Sequence, residues 1–191
     1  MGAVTMTEPL THPEVGQPWT IEDLAKLPDD GMRHEIVDGS LLVSPQAGKR
    51  HGRATTRLRK LLDRQAPPEL TTVQEVGVNV QRRRSYFVPD LFVVRNDDFD
   101  KDDDDSFDQS DVLLVVEVVS PSNRGNDLVI KRHYYAAGGI PHYWIVDPDK
   151  RTLTVLTLDG EGYTERAVVG PGQVWESVEP FPLRIDPGEC T

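Results

Sequence analysis

The chain has a single cysteine, Cys190, next to its C-terminus. That excludes an internal disulfide and any cysteine-based metal site. Aromatic residues make up 7% of the chain, and no stretch approaches the ~20 consecutive apolar residues of a membrane span. The first residues, Met1 to Gln17, are rich in Gly, Pro and Thr and lack both a basic region and an apolar run. A typical secretory signal is therefore not expected, and a cytoplasmic location without membrane association is. Acidic residues outnumber basic ones, 32 to 21, for a formal net charge of -11. Taken alone this argues against a phosphate-rich partner.

The charges are unevenly placed. Asp97, Asp98, Asp100, Asp102, Asp103, Asp104, Asp105 and Asp108 lie in one short segment with Lys101 as their only basic neighbour. Such a block reads as a solvated, mobile loop over 96–110. A basic stretch opposes it: Lys49, Arg50, Arg53, Arg57, Arg59, Lys60 and Arg64, followed by Arg82, Arg83 and Arg84. This is either a solvated helix face plus a polar turn or a nucleic-acid surface, for which Arg50, Arg53 and Arg57 are the candidates.

At 191 residues one domain is expected over 19–185, with tails at 1–18 and 186–191. Thr20 precedes Glu22 and Asp23 as a helix cap, and Asp38-Gly39 marks a hairpin between 34–37 and 40–44. Ala54, Leu58, Leu61 and Leu62 recur at helical spacing over 49–64, and His51 continues their inward stripe. Residues 72–80 alternate as a strand, 82–85 turn the chain, and 86–94 form the next strand. Asn126 is a candidate cap for a helix running to Ala137, closed by Gly138-Gly139. On that helix Asp127, Lys131 and Tyr135 are spaced four apart and share a face. A buried strand at 140–146 and a hairpin over 152–168 complete the chain, and the order predicts a mixed sheet flanked by helices, α/β or α+β.

Two carboxylates interrupt apolar runs: Asp90 within Tyr86–Val94 and Glu117 within Val112–Val119. A carboxylate in such a place loses hydration and needs a cation or hydrogen-bond partner. Neighbouring ones suit a hard divalent metal. Pro89 removes a ladder donor, which favours an edge or irregularity at Asp90, where the plainer alternative is a strand-end residue bonding a backbone amide. Lys131 offers a cation to Glu117, or else pairs with Asp127 on a solvated face. Glu35 is a further metal or water contact or a strand-surface acid, Tyr135 is a candidate cleft-lining residue, and His51 lines a cleft or is a satisfied core histidine.

Arg33-His34-Glu35-Ile36-Val37-Asp38-Gly39, Ser44-Pro45, Val88-Pro89-Asp90-Leu91, Glu117-Val118-Val119-Ser120-Pro121-Ser122, Asp127 with Lys131 and Tyr135, and 139–148 together resemble the Uma-two family of restriction endonucleases. That family lies within the PD-(D/E)xK nuclease superfamily. The resemblance runs from about Thr20 to Thr164, and it implies a restriction-endonuclease-like core with an added N-terminal and C-terminal hairpin. It further implies that Asp90, Glu117 and the carbonyl of Val118 hold Mg²⁺ or Mn²⁺ and that the protein hydrolyses DNA, the alternatives being a non-catalytic nucleic-acid or protein binding module and a metal-dependent hydrolase of another phosphate ester. Val119 occupies the place of the usual lysine, and Lys131 on the following helix matches the position from which this family draws its own. His34 stands where relatives commonly have Tyr, and His142 where they commonly have Glu. Two active sites are commonly needed to cut both strands, so a homodimer through Val155 and Leu156 of the C-terminal hairpin is expected.

Overall fold

Asp38 and Gly39 both adopt positive φ, at 48° and 78°, the conformation of a two-residue hairpin turn with the right twist for its flanking strands. They join β1 (Met32–Val37) to β2 (Ser40–Pro45) in a computed structural model that describes residues 13, 16–101, 105–120 and 125–191. Before them α1 (Ile21–Leu24) is a single turn held by a capping box. The Asp23 amide donates to Thr20 Oγ1 at 3.3 Å and Asp23 Oδ2 accepts from the Thr20 amide at 3.1 Å.

The basic helix α2 (Lys49–Gln65) buries His51, Ala54, Leu58, Leu61 and Leu62 on one side. After it the chain forms β3 (Leu70–Gln74), β4 (Gly77–Val80), β5 (Ser85–Phe87), β6 (Leu91–Arg95), β7 (Ser106–Asp108) and β8 (Leu114–Val118). A π-type turn at Asn126–Lys131 runs into α3 (Arg132–Ala137). The rest is β9 (His142–Asp147), β10 (Thr152–Asp159), β11 (Gly162–Val169), β12 (Trp175–Ser177), β13 (Leu183–Ile185) and α4 (Pro187–Cys190).

These strands form a six-stranded mixed sheet, order β11-β10-β9-β8-β6-β3, and a five-stranded sheet, order β2-β1-β5-β4-β7, with β12-β13 as a separate pair. Strand alternation divides the core in two. Leu91, Val93, Leu114, Val116 and Val118 face α2 and α4, while Phe92, Val94 and Val115 pack with Phe87 and Tyr135 on the other side. Among the described residues, no helix is long and apolar enough to cross a membrane.

Several expectations need correction. The strands read over 72–80 and 86–94 each break, and at each break the chain passes from one sheet to the other. Glu75, at φ 55°, ends the first half, and Pro89, without an amide donor, interrupts the second. Asp90 therefore lies just ahead of a strand rather than inside one. Asn126 does not cap its helix; the helical run takes it in, and its N-cap is Gly125 with no side-chain hydrogen bond. The acidic segment is structured where described, because Lys101 joins Asp98 to Asp111. Phe107 of β7 packs edge-on against Phe92 and Phe99, and β7 runs parallel to β4. Asp102, Asp103 and Asp104 lie outside the described residues, as do Met1 to Thr11, His12, Pro121 and Ser122. The expected C-terminal tail is instead α4, which buries Cys190 in the core beneath α2. Val155 and Leu156 are 4% and 0% exposed, since β10 is flanked on both sides by β9 and β11. They offer no strand edge for a two-fold contact.

Candidate active site

β6 and β8 pair antiparallel with Leu91 opposite Val116, so one step further Asp90 comes opposite Glu117. Glu35 approaches from β1 of the smaller sheet. All three carboxylates are at most 2% exposed. Burial of that depth is tolerated only with counter-charges and donors close by.

Those partners come from β1, α2, β8, the helical run into α3 and the segment between β5 and β6. Arg33 Nη1 and Nη2 each donate to Asp90 Oδ1 at 3.1 Å. Asp90 Oδ2 lies 2.8 Å from His51 Nε2 and accepts from the Val118 amide at 2.8 Å. Lys131 Nζ bridges the two glutamates, 2.9 Å from Glu117 Oε1 and 3.0 Å from Glu35 Oε1. The Tyr135 hydroxyl donates to Glu117 Oε1 at 2.9 Å, and the Val88 amide to Glu35 Oε1 at 2.8 Å. Lys131 itself is 2% exposed, so it is not a solvated partner of Asp127, whose side chain lies outside the described residues.

The local folding explains the convergence. The π-type turn widens the helix just before Lys131, and Lys131 and Tyr135 then sit one α-helical turn apart on the face toward β8. His51 belongs to the first turn of α2, where Thr55 Oγ1 bonds its carbonyl at 3.0 Å and approaches its ring.

The same contacts set the proton affinities. Burial pushes the Asp90 carboxyl up, but the His51 hydrogen bond and the charges of His51, Arg33 and Lys131 outweigh it and hold Asp90 below the ordinary carboxylate range. Burial opposes the charge on Arg33, and Asp90, Glu117 and Glu35 more than restore it. Tyr135 is pushed well above the ordinary phenol value by burial and by the charges of Glu117 and Glu35, so it remains a neutral donor.

The structure thus brings together Asp90, Glu117, Lys131, Glu35, His51 and Tyr135. Val118 also joins them, although the contact it shows is its amide on Asp90, not its carbonyl on a metal. Arg50, Arg53 and Arg57 are exposed on the outer side of α2; Arg50 pairs with Asp149 at 3.2 Å and Arg57 donates to the Thr191 carbonyl at 3.1 Å. Arg33 had no role assigned from sequence. Its signal was present, because residues two apart on a strand share a face and Arg33 precedes Glu35 by two.

A cleft of about 600 Å³ opens onto this cluster. Arg33 and His51, the two side chains bonded to Asp90, form part of its lining, with Met32, Tyr86 and Val88 beside them, whereas Tyr135, expected to line the cleft, is fully buried behind Glu117.

Residues 21–187 match the Uma2 family, described as "Putative restriction endonuclease", and the chain belongs to that family. No curated protein matches it significantly in sequence. Among solved structures, the fold is similar to that of a crystal structure described as "a putative nuclease" from Anabaena variabilis. The TM-score is 0.69 at 16% identity, covering 91% of this chain and 97% of the other. At that identity the likeness speaks for the fold, which is the restriction-endonuclease-like core expected from the sequence.

Proposed function

We propose that this protein is a metal-dependent endonuclease that hydrolyses DNA phosphodiester bonds. The observation that carries this reading is the burial of Glu35, Asp90 and Glu117 around two cations at the foot of an open cleft. Buried carboxylates gathered beside a cleft are a recurrent arrangement for catalysis, and family membership narrows the chemistry to nucleic-acid cleavage.

Mg²⁺ or Mn²⁺ fits the donor set, which is oxygen-rich and acidic. Among the described residues no three His, Cys, Asp or Glu side chains form a ready-made cage. An ion that keeps several waters and takes one or two carboxylates plus a substrate phosphate does not need one. Asp90 and Glu117 would hold it with the Val118 carbonyl, and when bound it would acidify a water and offset charge on the phosphate.

The chain's own residues supply the remaining functions. Lys131, fixed between Glu35 and Glu117, keeps a compact positive charge beside the reacting phosphate and orients a water. Glu35 and Tyr135 hold Lys131 and Glu117 in register. His51 orients Asp90, and Arg33 balances its charge until substrate arrives. Arg50 and Arg53, exposed on the first turns of α2, would contact the DNA backbone. Such an enzyme would work in the cytoplasm.

The internal pairing of every carboxylate also suits a non-catalytic relative that uses the cleft for binding. Incubating the protein with plasmid and single-stranded DNA in Mg²⁺, Mn²⁺ and chelator separates the two: divalent-dependent cleavage supports the enzyme, and binding without cleavage supports the relative.

A further inference from the structure

We infer that the cleft accepts a single-stranded stretch of nucleic acid, with a base stacked on Tyr86 and the adjoining phosphate drawn toward Arg33, in preference to an intact duplex. This rests on the nuclease reading and specifies the form of its substrate.

The lining of the cleft is amphiphilic. Ile21 and Leu24 of α1 and Met32 of β1 make an apolar wall, Tyr86 presents an aromatic ring, and Arg33 and His51 lie toward Asp90. A volume of about 600 Å³ is on the scale of a small-molecule site, enough for nucleotide units rather than a double helix. The aromatic ring matches the face of a base, and the partly exposed Arg33 guanidinium beside Asp90 matches a phosphate.

Tyr86 is held as a fixed platform. It lies on β5, which pairs with both β1 and β4, and its ring passes directly over the backbone of Gly77. A Cβ on Gly77 would fall 2.0 Å from the Tyr86 hydroxyl and 2.2 Å from Cζ, so only glycine leaves room for the ring there. The ring is half-buried and borders the cleft, an arrangement that packing of β4 against β5 does not by itself require.

Access and charge argue in the same direction. Asp90 and Glu117 are each 1% exposed. An intact duplex keeps its bases stacked inside, so it cannot set a base on Tyr86 and a phosphate near Arg33 without extruding that nucleotide. A single strand has its bases free. The chain carries a net charge of -11, with Glu75 and Asp105 at the cleft. A duplex presents about one charge per 1.7 Å and is penalised more by that field than a flexible single strand.

The test measures binding by fluorescence anisotropy in chelator, and cleavage in Mn²⁺, for a 15-nucleotide DNA strand and its duplex. The single strand should bind roughly ten-fold tighter or more. Tyr86→Leu should lose about ten-fold in single-strand affinity while Tyr86→Phe keeps it, with thermal melts confirming the fold. Because Tyr86→Leu disturbs the packing on Gly77, strands carrying one abasic nucleotide at successive positions give a second readout on the unaltered protein. One position should weaken binding by a similar factor. Duplex bound and cleaved as well as the single strand, or no effect of abasic substitution anywhere, overturns the substrate form while leaving the nuclease reading intact. Failure to cleave either DNA overturns the nuclease reading and this inference with it.

Discussion

Replacing Lys131 with Met keeps the length and apolar stem of a fully buried side chain and removes only its charge. The ammonium sits 2.9 Å from Glu117 Oε1 and 3.0 Å from Glu35 Oε1, so its loss leaves two carboxylates facing each other at depth. Breaking a buried ion pair on one side costs about 3–5 kcal/mol. For a chain of 191 residues, with about 2–4 °C of melting temperature per kcal/mol, that is a fall of roughly 6–20 °C. Two further signatures separate this cause from a simple packing defect. Mn²⁺ should restore more stability to Lys131→Met than to the parent, because a bound cation replaces the lost counter-charge, and Lys131→Arg, which keeps the charge, should lose less than Lys131→Met. If the protein cleaves DNA, turnover should fall much further than metal affinity. Thermal melts of the parent, Lys131→Met and Lys131→Arg, with and without Mn²⁺, decide the matter. A loss below about 1 kcal/mol that Mn²⁺ does not change would refute the assignment of Lys131 as the bridging cation.

Other expectations can be checked independently. Asp90 is held below its ordinary carboxyl value, so its contribution to stability is complete above the unfolded value of about 3.9 and is lost as pH falls through the folded value. In urea melts the gap between parent and Asp90→Asn should therefore be constant near neutrality and narrow below about pH 4; a gap independent of pH would contradict the pairing. Cys190 is 2% exposed and its thiol is pushed up to about 11 chiefly by burial, so it should resist a thiol reagent at pH 8 until the protein unfolds. Rapid labelling of the native protein would show that α4 is not docked. Replacing Arg50 and Arg53 with Ser should weaken DNA binding and lower the slope of log affinity against log salt by roughly one for each phosphate that is no longer neutralised. An unchanged slope would place DNA elsewhere.

Much of the site was legible because burial of charge is a local signal. Asp90 and Glu117 stand out against apolar neighbours, and Lys131 and Tyr135 share a helix face by spacing alone. The Asp38-Gly39 turn and the stripe of α2 were equally local. What periodicity could not reveal was the crossing of the chain between two sheets at Glu75 and Pro89, because a strand that changes sheets keeps its alternation on both sides of the break. The docking of α4 and the burial of β10 depend on neighbours distant in sequence. Tyr86 and Gly77 illustrate the same limit: neither residue is unusual in its own strand, and their relation exists only once β4 and β5 pair.

The most direct measurement compares cleavage of plasmid and single-stranded DNA by the parent protein and by Glu117→Gln, in Mg²⁺, in Mn²⁺ and in chelator. Glu117→Gln preserves the shape of the side chain and its capacity to accept from Tyr135 and Lys131 but removes its charge. Divalent-dependent cleavage by the parent, abolished by chelator and by Glu117→Gln, is the expected result. Cleavage that survives chelation, or that Glu117→Gln performs as well as the parent, would contradict a metal-dependent active site built on Asp90 and Glu117.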